Sequence, residues 1–380
     1  MIVIRQIEVE IIQILSQKKS KIIVLYGPRQ VGKTTLVKTV FSKLSKKSVL
    51  FTTDDREISR ILSSQDLNQL RLLTAGYDIV CIDEAQRIEN IGLTLKLMYD
   101  NMPELKIIAT GSSSFDLANK IKEPLTGRTR TYTLFPIALK ELDAVYPPYE
   151  LDRYLEAHMI YGGYPDVLVC ENQAEKIRDL NELSSSYLYQ DILELKSIKY
   201  ASKLQDLLKL LAFQIGSEVS LSELGQKLEM NKDTIAHYID LLEKSFVIFR
   251  LSGFSRNLRK EVTKMNKIYF YDLGIRNSLI QNFSPLNLRA DRGALWENML
   301  IIERLKQNAY QGKIVRSYFW RIHTGAELDY IEESGVELSG YEFKFSRKIS
   351  NPPAAWTAAY PEAHFDSVSR DTYRPFLNLK

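Results

Sequence analysis

The segment KIIVLYGPRQVGKTTLVKTVF, residues 21–41, constrains the fold more than any other stretch of the chain. An apolar run rich in β-branched residues reads as a buried strand. The glycines Gly27 and Gly32 then bracket a short polar loop, and apolar positions at Leu36, Val37 and Val40 read as one face of a helix. Strand, glycine loop and helix in that order place successive backbone N–H groups at the positive end of the helix, a ready site for anionic phosphate.

The loop, Gly27-Pro28-Arg29-Gln30-Val31-Gly32-Lys33-Thr34, has Walker A spacing. Lys33 is expected to reach the β- and γ-phosphates, and the Thr34 hydroxyl to ligate magnesium, with Thr35 opening the helix beside them. The partner motif is Asp83-Glu84, fifty residues after Lys33 (83 − 33), at the end of the apolar run DIVCI. Asp83 takes the Walker B role on magnesium, and Glu84 is the candidate general base that orients the attacking water. A further strand, LKIIATGSS, is expected to insert between the two nucleotide-binding strands and present Thr110 or Ser112 near the γ-phosphate. Arg128, in LTGRTR before a fifth strand, is a candidate arginine finger, with Arg130 as its competitor. The absence of an Asn-Lys-x-Asp guanine-reading motif favours ATP over GTP. The pattern resembles the AAA+ and related P-loop ATPases that carry a catalytic glutamate.

Around this motif, apolar strands at 21–27, 48–55, 78–85, 105–113 and 129–136 alternate with helices, which predicts an α/β fold with an open parallel sheet. The alternation stops near residue 140, at the joint ELDAVYPPYE. Four regions follow from this punctuation: a P-loop ATPase domain over 1–140, a helical lid or linker over 141–202, a winged-helix domain over 203–285, and a C-terminal α/β domain over 286–380. Within the lid, Gly162-Gly163-Tyr164-Pro165 must turn.

In the third region, Ser220 and Glu223 have capping-box spacing, and Ile235, Ile239 and Leu242 share one helical face. That reads as helix-turn-helix. The following strands bracket Arg256, Arg259, Lys260, Lys264 and Lys267, five basic residues against the single acid Glu261. They are the expected phosphate contacts of a basic wing on DNA. The second helix carries acids as well as bases, and the net charge of the chain is only +4. Both observations favour a second reading, in which this module binds protein partners.

The last region places Glu297 on a helix, Asp329 at the end of GAELD, and Glu342 and Lys344 two apart in GYEFKF. Residues i and i+2 of a strand share a face. Three carboxylates, Glu297, Asp329 and Glu342, are expected to hold magnesium, with Glu342 and Lys344 catalytic in phosphodiester hydrolysis. The order resembles the PD-(D/E)XK, restriction-endonuclease-like fold, with Leu328 where that pattern commonly has proline.

Taken in order, GPRQVGKTTL, CIDEAQRI, ATGSSS, LTGR, GGYP, the winged helix and GALWEN…ELDY…YEFKFS resemble a prokaryotic family of AAA+-like ATPases of the archaeal-ATPase type with a nuclease-like C-terminal domain. The resemblance implies ATP and Mg2+ as cofactors and an ATPase acting as a switch on nucleic acid. The alternative is a nucleotide-dependent signalling or interaction ATPase with a non-catalytic nuclease fold. A finger supplied in trans would need a homo-oligomer or a protein partner. Two cysteines, Cys81 and Cys170, cannot make a disulfide framework, and no apolar run approaches the roughly 18 residues that span a bilayer. A cytoplasmic protein without a membrane partner is the expectation.

Overall fold

The computed structural model describes residues 3–18, 20–112, 125–187, 201–255, 266–323, 325–346 and 349–380. It divides into two compact units, 2–135 with 244–246, and 136–243 with 247–380.

The first unit opens with α1 (Glu8–Ser16) and continues β1 (Ile22–Tyr26), α2 (Lys33–Lys43), β2 (Ser48–Thr52), α3 (Arg56–Ser64), α4 (Leu67–Thr74), β3 (Ile79–Asp83), α5 (Ile91–Asn101), β4 (Lys106–Gly111) and β5 (Thr129–Thr133). All five strands are parallel, in the order β2-β3-β4-β1-β5. The expected insertion of β4 between β1 and β3 is therefore found. Strands β1 and β4 are buried at every position. A strand covered on both faces can be apolar throughout, so these runs show no alternation. Their core is built from Ile22, Val24, Val80, Ile82, Ile107 and Ala109 against Leu62, Leu70, Ile91, Leu95 and Met98 of the helices. Asp55 and Asp66 start α3 and α4 by accepting backbone N–H bonds in each first turn.

The second unit begins with short helices: α6 (Leu139–Asp143), α7 (Pro148–Tyr161), α8 (Pro165–Val169) and α9 (Gln173–Glu182), the last running into a π turn at Leu183–Tyr187. Then come α10 (Ala201–Phe213), β6 (Glu218–Val219), α11 (Leu221–Leu228), α12 (Lys232–Lys244), β7 (Ile248–Gly253), β8 (Asn266–Phe270) and α13 (Leu273–Leu279). The chain ends with α14 (Arg292–Tyr310), β9 (Arg316–Arg321), β10 (Glu327–Ser334), β11 (Glu337–Phe343), α15 (Ala354–Ala359), β12 (His364–Val368) and α16 (Tyr373–Phe376).

Its seven strands form one mixed sheet, β12-β11-β10-β9-β7-β8-β6. The regions 203–285 and 286–380, expected as separate domains, share this sheet. One edge of β7 pairs with β8, and the other pairs in parallel with β9 at Ser252↔Tyr318 and Gly253↔Phe319. A strand edge left open is a liability, and β9 closes it. The boundary expected at 140 falls at 135/136.

The two helices α11 and α12 form where the sequence places them. Ser220 Oγ accepts the Glu223 N–H at 3.3 Å, and Ile235, Ile239 and Leu242 are buried. The other half of the expected capping box differs, because the Glu223 carboxylate turns outward to Lys227 one helical turn on. The GGYP turn is packed tightly. Gly162 has φ +74°, and a Cβ there would lie 2.0 Å from the Asp272 carboxylate. Among the described residues, no helix is long and apolar enough to cross a membrane.

Candidate functional site

The glycine loop leaves the carboxyl end of β1 and enters α2 at Lys33. Gly27 has φ +149°, and a Cβ there would sit 2.1 Å from the Leu134 carbonyl oxygen. Only glycine fits that approach of two backbones. Gly32, at φ +93°, makes the second bend. Lys33 is buried, and its Nζ donates to the carbonyls of Gly27 at 2.8 Å and Pro28 at 3.0 Å. The loop thus folds around its own ammonium. Arg29, Gln30, Val31 and Thr35 complete the segment, with Gln30 in the left-handed region at φ +60°.

The carboxyl end of β3 supplies the acids. Thr34 Oγ1 and Asp83 Oδ2 lie 3.0 Å apart, joining the first helical turn to the strand two places away in the sheet. A hydroxyl and a carboxylate at that spacing, beside a phosphate loop, suit a magnesium ion that keeps most of its other ligands as water and phosphate oxygen. Glu84 follows with φ +51°, a left-handed conformation uncommon for a side chain of its size. Its backbone N–H donates to Thr110 Oγ1 at 3.1 Å, while Thr110 donates to Asp83. Gln86 Nε2 donates to the Glu84 carboxylate and to Ser112 Oγ. Burial pushes the Glu84 carboxyl up, but the Lys33 charge, hydrogen bonds from Gln86 and Ser112, and the Arg29 charge together hold it below the usual range. Glu84 is therefore ionised at neutral pH, as a proton acceptor must be.

Thr110 and Ser112, at the carboxyl end of β4 as expected, are both buried and engaged with the acid pair, and so position Asp83 and Glu84. Arg128 lies at the opposite edge of the sheet. Its carbonyl accepts the N–H of Ile22, the first residue of β1, and its guanidinium pairs with both oxygens of Asp100, at 2.9 and 3.2 Å. Because β5 runs parallel to β1, the residue preceding β5 must lie at the amino edge, away from the loop. Arg130, beside Glu10, is at that same end. Arg5, unread in the sequence, is buried behind the loop and donates to the carbonyls of Val31 at 2.8 Å and Phe135 at 2.6 Å. No local pattern marks it, because its partners are 26 and 130 residues away.

The second charged cluster lies in the seven-stranded sheet. Asp329 is the third residue of β10 rather than the end of a strand. The pair Tyr330↔Tyr341, continued by one residue, sets Asp329 across from Glu342. Lys344 pairs with Glu342 on the same face. Asp329 Oδ2 accepts the Phe343 N–H at 2.7 Å, and its carboxyl is pushed well up by burial and by the neighbouring charges of Glu297 and Glu342. The four residues read from the sequence do converge. Among the described residues, however, no group of three His, Cys, Asp or Glu side chains is arranged to hold a metal ion as it stands.

Lys267 belongs to this cluster and not to a wing. It is the second residue of β8, its side chain only 4% exposed, with Nζ 3.5 Å from Glu297 Oε1 and 3.5 Å from Glu327 Oε1. Tyr269, two residues on and fully buried, donates its hydroxyl to Glu297. Alternation along β8 carries 267 and 269 to one face. Arg256, Arg259, Lys260 and Lys264 lie outside the described residues.

Three stretches match known families. Residues 19–143 match an AAA domain, residues 152–286 a domain of unknown function (DUF8612), and residues 292–356 another (DUF4143). An uncharacterized protein of Mycobacterium tuberculosis is 27% identical over 340 residues, covering 88% of this chain and 72% of the relative. One from Methanocaldococcus jannaschii is 23% identical over 346 residues, covering 86% and 74%. Among solved structures, the Thermotoga maritima RuvB Holliday junction branch migration motor aligns over 65% of this chain and 90% of its own, at 18% identity. Its TM-score of 0.35 is too low to establish a shared fold. The glycine loop, the Asp-Glu strand and the inserted β4 lie within the first matched stretch, and residues 19–143 form an AAA-type P-loop ATPase domain.

Proposed function

We propose that the chain binds and hydrolyses ATP with magnesium, and that the reading rests above all on the 3.0 Å pairing of Thr34 with Asp83 beside the glycine loop. Thr34 and Asp83 are the residues that would hold magnesium, which neutralises charge on the β- and γ-phosphates. Lys33 leaves the Gly27 and Pro28 carbonyls and turns to phosphate oxygens, while the loop N–H groups close around them. Glu84, fixed by Gln86 and Ser112, accepts a proton from the water that attacks the γ-phosphorus. The bond to the bridging oxygen breaks, and ADP leaves with that electron pair. Thr110 keeps Asp83 and the Glu84 backbone in register throughout.

The test is steady-state ATP turnover by the full chain beside Lys33→Ala and Glu84→Gln. Turnover that both substitutions abolish supports the reading. Unchanged turnover in Lys33→Ala overturns it.

The wider task we propose is a switch on nucleic acid, supported by the consecutive helices α11 and α12. The candidate wing loses Lys267, which weakens this reading. The partnered carboxylates of the last region favour the alternative, a nucleotide-dependent interaction protein whose nuclease-like portion does not cut. Retention on immobilised DNA with and without ATP separates the two. Retention that changes with ATP supports the switch, and none in either state supports the alternative.

A further inference from the structure

The carboxylates expected to hold magnesium in the last region already have protein partners. Glu297 faces Lys267 Nζ at 3.5 Å and accepts the Tyr269 hydroxyl. Asp329 is held by the Phe343 N–H, and Glu342 by Lys344. Glu327, the remaining acid, is shared by Lys267 and Arg321. The Lys267 ammonium also lies 5.4 Å from the centre of the Phe319 ring, so the apolar side of its surroundings favours a cation as well.

This arrangement does not fit a divalent ion. An ion bound to the same Glu297 oxygen would stand directly beside the buried positive charge of Lys267. Two cations in a poorly solvated pocket repel strongly. The lysine also comes from outside the region that supplies the carboxylates: β8 lies within residues 152–286, and Glu297, Asp329 and Glu342 lie within 292–356. The shared sheet, with α14 laid against it, brings them together.

We propose that Lys267 is the resident cation of this cluster, taking the role of a metal ion and excluding one, so that the C-terminal carboxylates form a closed charge network. Removing the ammonium should then create a metal site where the wild-type chain has none. The inference does not depend on the ATPase reading, and its test silences the glycine loop so that the two can fail separately.

The experiment titrates Mn2+ into nucleotide-free full-length protein carrying Asp83→Asn, following free Mn2+ by electron paramagnetic resonance. With Lys267 present, no binding that Glu297→Gln removes is expected. Lys267→Met should gain one site at least about tenfold tighter than any in its parent. Adding Glu297→Gln should abolish that site, and Lys267→Arg should not create one. The inference is overturned by a Glu297-dependent Mn2+ site in the Lys267 protein, a measurement that needs no Lys267 variant to fold. It is equally overturned if folded Lys267→Met gains no site.

Discussion

Both charged centres of this chain set a buried lysine among acids, yet the two lysines are partnered differently. Lys33 rests on the neutral carbonyls of Gly27 and Pro28 and leaves Thr34 and Asp83 facing one another. Lys267 rests on the carboxylates of Glu297 and Glu327. A carbonyl gives up an ammonium readily to an incoming phosphate, whereas two carboxylates around a buried ammonium do not. The partner of the lysine, more than the number of nearby acids, decides whether a site is open to a phosphate-bound cation. In the glycine loop, backbone carbonyls that glycine geometry makes accessible hold the ammonium, with the Glu84 charge nearby. In the seven-stranded sheet the partner is side chain, locked by burial.

Breaking the closed centre should have the largest effect. Lys267→Met leaves the partly buried Glu297 without its cation and is expected to destabilise the second unit by roughly 2–4 kcal/mol, read by urea unfolding. A loss below about 1 kcal/mol would mean that the pair is not held closed. In the open centre, Lys33→Ala should lower ATP turnover by about 10²–10³. Glu84→Gln should lower kcat by about 10² while leaving ATP affinity within about threefold, measured by nucleotide binding beside turnover. Because Lys33, Gln86, Ser112 and Arg29 outweigh burial, Glu84 holds its charge below the ordinary glutamate range. The acid limb of kcat/KM should therefore lie below that range, and rise toward it in Gln86→Leu.

Smaller effects sharpen the comparison. Arg5→Met removes two buried hydrogen bonds from behind the loop and should raise KM for ATP by roughly tenfold with less change in kcat. Equal losses in both would make Arg5 a general structural residue rather than one that positions the loop. Arg128→Ala should change turnover by less than about threefold, since the exposed pair with Asp100 contributes little. A large loss, dependent on protein concentration, would instead mean that Arg128 acts on nucleotide held by a second copy.

The first unit was the more legible in sequence. Short apolar runs ending in working residues could only be buried parallel strands, and the run at 105–113 announced β4 between β1 and β3. Arg128 was misplaced although the information was present, since a residue before a parallel strand lies at its amino edge. For Thr110 the strand pattern placed a hydroxyl beside the loop but could not say that the neighbouring acids would engage it. In the second unit, convergence of Glu297, Asp329, Glu342 and Lys344 followed from strand spacing. Lys267 did not, because counting bases over 256–267 treats sequence neighbours as one surface. The clue was that Lys267 opens the apolar run Ile268-Tyr269-Phe270, and a lysine on a strand buried along that run requires an internal partner. Arg5 carried no signal, as its bonds depend on contacts far apart in sequence.

Counting Mn2+ bound per chain at saturating ATP tests the contrast between the two centres most directly. One ion is expected, present only with ATP and lost in Asp83→Asn. A second ion, bound without nucleotide and lost in Glu297→Gln, would contradict it.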